Sequence, residues 1–141
     1  MTNLKTTIGL LVAVVAVVAF GAAQASASSA PIVITYEKTC TGGVCDSPAG
    51  DRVTLHMEVT GYRSTGDAAQ LTVTERITVE DISFTAELSG HFSPAGFIVL
   101  NGTVTSGSFA GAQVHQRSNL VSADATSDSW VGQLRLMPAS A

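Results

Sequence analysis

Glu75 stands out among the residues of this chain that could do chemistry, because of the company its position keeps. It shares odd parity with Leu71, Val73, Ile77 and Val79, while Thr72, Thr74, Arg76, Thr78 and Glu80 fall between them. Side chains along a strand alternate between faces, so this parity turns Glu75 inward with the apolar set. A carboxylate on a core face is expensive unless it meets a partner or lies at the mouth of a barrel. Gln116, in phase with Ala112 and Val114, is a second polar side chain that the pattern turns inward. Trp130 supplies an aromatic wall beside them. Glu75, Gln116 and Trp130 together describe a ligand pocket of the kind small barrels hold, with one ionisable group in mostly apolar surroundings.

Other chemistry-bearing residues point elsewhere. His56, His91 and His115 each fall out of phase with the apolar residues of their own segments, which places them on the polar face of three separate strands. A zinc site would need them to converge and to have supporting partners. Glu80 and Asp81 are adjacent, so on a strand they diverge, and the apolar parity changes there from odd to even; a tight turn or bulge is expected. The chain has no G-x-S-x-G elbow and no glycine-rich phosphate loop. Asp124 and Asp128 lie in a polar loop without the regular acidic spacing of a calcium-binding EF-hand. No cofactor is implied.

Cys40 and Cys45 enclose Thr41-Gly42-Gly43-Val44. Gly-Gly suits a two-residue hairpin turn, which makes the cysteines the next cross-strand pair, where strands approach most closely. We expect a structural disulfide, worth about 2 kcal/mol for so short a loop, in preference to a redox pair or half a metal site.

The segments that position these residues all read as strands. Ile32, Ile34 and Tyr36 alternate with polar neighbours. Arg52 to Thr60 follows the turn Ser47-Pro48-Ala49-Gly50, with Pro at its second position and Gly at its fourth. A connection over Gly61 to Ala68 precedes the strands Leu71–Val79 and Ile82–Leu88. The same tetrapeptide returns as Ser93-Pro94-Ala95-Gly96 before a strand over Phe97 to Thr105, with a bulge expected at Asn101-Gly102. Strands over Phe109 to Arg117 and around Trp130, Leu134 and Leu136 complete the set, separated by the loop Ser122 to Ser129. Seven strands, turn signals between them and no convincing helix predict an all-β domain: one antiparallel barrel, or a strongly rolled sheet or sandwich, of about seven to eight strands.

Lys5, the apolar run Ile8 to Phe20 and the small residues Ala23, Ala25 and Ala27 read as a signal-peptide helix over residues 1–27, leaving 28–141 as the exported domain. An apolar run this short falls below the ~20 residues of a spanning helix, so no membrane anchor is expected after cleavage. Seven Lys and Arg face 11 Asp and Glu, a formal net charge of −4, which argues against a nucleic-acid or anionic-membrane surface. Asn101-Gly102-Thr103 matches a glycosylation acceptor. The succession of Thr- and Gly-rich strands behind a leader resembles small exported barrels such as the avidin-like, lipocalin-like and dirigent-like architectures. No defining motif of these aligns, so the resemblance implies a fold and carries no site.

These readings favour a secreted or cell-envelope binding module for a small apolar ligand or a protein partner. A small barrel enzyme using Glu75 in an apolar cavity and a structural matrix component are the alternatives.

Overall fold

A computed structural model describes residues 30–138; the expected leader lies outside the described residues. The chain forms eight antiparallel strands: β1 (Ile32–Thr41), β2 (Val44–Asp46), β3 (Val53–Thr65), β4 (Ala68–Val79), β5 (Ile82–Ser93), β6 (Phe97–Gly107), β7 (Gln113–Ala123) and β8 (Asp128–Met137). Each pairs with the next in sequence, and β1 pairs with β8 to close a barrel. Closure removes every sheet edge, so a domain without covering helices still satisfies its backbone.

Period-two patterning sets which face looks inward. Leu55, Met57, Leu71, Val73, Ile77, Phe84, Leu88, Leu100, Val114, Leu134 and Leu136 are buried within the barrel. Thr, Ser, Glu, Arg and His occupy the alternate positions and line the outside. This is the reverse of a transmembrane barrel, whose apolar band faces outward.

The eighth strand is the short β2, which the Cys hairpin creates. Gly42 and Gly43 both have positive φ, 60° and 87°, as a two-residue type I′ turn requires, and Thr41↔Val44 and Cys40↔Cys45 follow in register. A disulfide joins Cys40 to Cys45 with their Cα atoms 4.0 Å apart. The expected corner at Glu80-Asp81 is a two-residue turn between Val79 and Ile82, with Glu80 at φ 55°.

Several expected boundaries move. The segment Gly61 to Ala68 is not a loop: β3 and β4 continue through it to a turn at Gly66-Asp67, because a bulge at Thr60 absorbs the change of register and Arg63 bonds Gln70 across the strands. Asn101-Gly102 is not a bulge. Gly102 keeps register with Leu88 and Val114, its missing Cβ leaving room for the Glu87 carbonyl, and the extra residue of β6 is Thr105. The strand expected from Phe109 begins only at Gln113. Phe109 and Gly111 take positive φ, 60° and 91°, which breaks the extended chain, and the backbone folds into a corner held by Gly111 N–H to the Val104 carbonyl and Ala112 N–H to the Phe109 carbonyl. The two Ser-Pro-Ala-Gly copies also differ: the first turn is closed by Asp51 N–H to Pro48, one residue later than expected, and the second by Gly96 N–H to Ser93 as expected.

Candidate functional site

The inside of the barrel carries a polar cluster among apolar walls. Lys38, Glu75, Gln116 and Ser118 are the buried polar residues among those described, and the hydroxyl-bearing Tyr36 is buried with them. β1 contributes Tyr36 and Lys38, two residues apart on the inward face; β4 contributes Glu75; β7 contributes Gln116 and Ser118, again two apart.

Small residues make room for this cluster. Gly132 of β8 lies between Tyr36 and Ser118 in the register, and a Cβ on it would run into the Tyr36 ring. The phenol therefore lies across β8 and reaches β7, where its oxygen is 2.6 Å from Ser118 Oγ. Glu75 is flanked in the sheet by Met57 and Ala86, so neither neighbour offers it a hydrogen bond. Both Glu75 oxygens, and both the oxygen and nitrogen of the Gln116 side chain, are buried without a hydrogen-bond partner. Lys38 is nearly as isolated: its amine donates to Met57 Sδ at 3.6 Å and sits 5.6 Å from the centroid of the Tyr36 ring.

Burial sets the electrostatics. It pushes the Glu75 carboxyl up to about 7, while the Lys38 charge and the nearby Gln116 amide pull in the opposite direction without overcoming it. It pushes the Lys38 amine down, with the charges of Glu75 and Asp128 opposing. The Tyr36 phenol is pushed up by burial against the pull of its Ser118 bond. Lys38 and Glu75 thus feel each other's charge, yet the ion pairs among the described residues are Arg52–Glu80 and His56 with Asp46 and Glu58. The opposite charges inside the barrel are coupled without touching.

Glu75, Gln116 and Trp130 all lie inside, and Gln116 is near enough to Glu75 to influence its ionisation. Trp130 is the cross-strand partner of Lys38. Its indole N–H donates to Asp128 Oδ2 at 2.6 Å, and its ring meets Phe92 edge-on at 6.2 Å. Its polar atom is therefore committed to Asp128, and what it offers the cluster is its ring. Asp124 caps its own loop through the Thr126 and Ser127 amides. His56, His91 and His115 stand on the outer faces of β3, β5 and β7. Asp46 and Glu58 hold His56 from opposite sides of its ring, which raises its pKa, and His115 bonds Asn101.

Lys38 and Ser118 were missed by the sequence reading, although the signal was present. Lys38 has the parity of Ile32, Ile34 and Tyr36, and Ser118 that of Gln116; both strands simply run further than their apolar residues do.

Two open hollows of about 390 and 490 Å³ lie elsewhere, the first beside Asn101 and Gln113, the second beside Tyr62 and Gln70. Neither is lined by a member of the inner cluster. A scan against protein-family models found no match, and searches of curated proteins and of solved structures found none, so no role is borrowed from a relative.

Proposed function

We propose that this protein is an exported binding module whose barrel interior takes a small ligand with an apolar body and one hydrogen-bonding group. The observation that carries this reading is the set of four polar atoms on Glu75 and Gln116 that are buried without a hydrogen bond, in an interior whose other polar groups are Lys38, Ser118 and the Tyr36 hydroxyl. Groups buried in that way cost stability, and a ligand that bonds them returns what the fold alone leaves unmade. The leader and the Cys40–Cys45 disulfide support action outside the cytoplasm.

Glu75 and Gln116 have no exposed area, so a ligand reaches them by displacing neighbours. Met57 and Lys38 are the side chains best able to yield, being unbranched and rich in rotatable bonds. Apolar contact with Phe92 and Trp130 would hold the ligand body, and the carboxyl and amide would hold its polar group.

Trp130 is the only tryptophan of the chain and sits inside the barrel, which makes its emission a direct reporter. Titration with decanol should change that emission saturably, and decane should bind about tenfold more weakly, the worth of one hydrogen bond. Glu75→Gln should alter the decanol affinity. A decanol response identical in the Gln variant would remove Glu75 from the site, and no saturable response would remove the interior as a binding site.

A further inference from the structure

Lys38 is the only lysine after Lys5; every other cation of the described domain is arginine. Lysine is ordinarily the most readily solvated of side chains and is almost never fully buried without a partner. Here the sole lysine of the barrel is 1 % exposed, and the five arginines are outside. Its amine has one hydrogen-bond acceptor within reach, the weak thioether of Met57, and no carboxylate in contact. Across the same interior stand a carboxyl and a carboxamide, both without partners. A structural lysine would be paired with a carboxylate; this one meets only a thioether and the face of the Tyr36 ring.

We propose that Lys38 captures carbonyl compounds, forming a reversible imine with an apolar aldehyde or ketone bound inside the barrel. The inference rests on the interior being the ligand site and names the ligand class and the bond. The unprotonated amine donates its electron pair to the carbonyl carbon, and a C–N bond forms as the C=O electrons move to oxygen. Proton transfer from nitrogen gives a neutral carbinolamine. Glu75 in its acid form protonates the departing hydroxyl, water leaves, and the nitrogen lone pair closes the C=N bond. Loss of the remaining N–H proton to the Glu75 carboxylate yields the neutral imine, so amine and carbonyl give imine and water with no other reactant. Gln116, whose amide nitrogen is buried without a partner, would donate to the carbonyl oxygen.

The burial that strips water from the amine also favours its free-base form, and each unit of pKa lost toward neutrality raises the nucleophilic fraction about tenfold. Glu75, pushed up to about 7 within the same interior, retains a proton to give where an exposed carboxyl would not. The apolar walls disfavour water and so slow the return hydrolysis.

The test is reductive trapping on the full exported chain. Folded protein is mixed with decanal and sodium cyanoborohydride at neutral pH and its intact mass and peptides are read. The expected product at Lys38, read at the peptide level apart from any adduct on the α-amine, is heavier by the mass of decanal less one oxygen and forms at least tenfold faster than on the urea-unfolded chain. Lys38→Arg and Lys38→Met should both lose it while still unfolding cooperatively in urea from a state with Trp130 buried; two variants guard against one that does not fold. Glu75→Gln should slow trapping while Lys38 remains the modified residue. Wild-type protein that binds decanol and yet modifies Lys38 no faster than when unfolded would overturn the capture chemistry and leave the binding reading standing. Absence of both the emission response and the adduct would overturn both.

Discussion

Glu75 costs the fold stability, and the sign of that cost with pH can be worked out. Its carboxyl is raised from the usual 4.5 to about 7, so below pH 4.5 it is protonated in folded and unfolded chains alike and imposes no ionisation penalty. As pH rises from 4.5 through 7 the unfolded chain releases its proton first, and stability falls; above 7 the full penalty of roughly 3 kcal/mol is present. Lys38, shifted down, has the opposite slope, gaining stability from its lowered pKa up toward 10.5. Glu75→Gln abolishes the first slope but also withdraws the charge that supports protonated Lys38. Urea unfolding should therefore show the variant gaining roughly 2 to 3 kcal/mol on the wild type between pH 4 and pH 8. Parallel pH profiles would mean that Glu75 gives up its proton as readily in the folded chain as in the unfolded one, and that burial imposes no penalty on its charge. A side chain retained against such a gain is what a functional site looks like energetically. Parity in the sequence was enough to turn Glu75 and Gln116 inward. It was not enough to find Lys38, because the apolar alternation ends at Tyr36 and a charged residue two positions before Cys40 reads as the end of a strand.

At the scale of elements, β8 is shaped by what must cross it. Gly132 is the position at which the Tyr36 ring passes over the strand to Ser118, and a methyl group there would displace the ring. Gly132→Ala should therefore lower stability by about 2 kcal/mol, combining overpacking with loss of a buried hydrogen bond. Ser118→Ala breaks the same bond without crowding and should cost about 1 kcal/mol. Equal losses in chemical denaturation would mean that the ring moves aside freely. In sequence, Gly132 looks like an ordinary weak point in a strand; only the register between β1, β7 and β8 reveals the crossing. The same limit explains the shifted boundaries. Glycine at 61 and 66 suggested a loop, whereas one bulge and one turn satisfy both, and local punctuation cannot distinguish these without the cross-strand partners. The hairpin at Gly42-Gly43 and the corner at Glu80-Asp81 were legible because each is decided within four to six residues.

At the scale of the whole molecule, the barrel is a meander: every strand pairs with its sequence neighbour, and only β1 with β8 joins distant parts of the chain. The seven successive hairpins close short loops, while β1 and β8 must meet across the full domain, so their pairing carries the largest closure entropy. We expect it to form last, with Val33→Ala and Val131→Ala, on the two closing strands, accelerating unfolding while leaving the folding rate nearly unchanged. The register also brings Ile32 opposite Leu136, which leaves residues 31 and 138 close enough for a short linker. A permutant joined there and opened at the Gly66-Asp67 turn keeps every strand pair but exchanges which one is distant: β3 with β4 becomes the closing pair and β8 with β1 a local hairpin. Stopped-flow refolding of this permutant should give a folded barrel with Trp130 buried as before. In that background the same two substitutions should slow folding instead of hastening unfolding. If they act on unfolding alone in both connectivities, closure of β1 on β8 is late for reasons of side-chain packing, and chain topology is not what orders the assembly of this barrel.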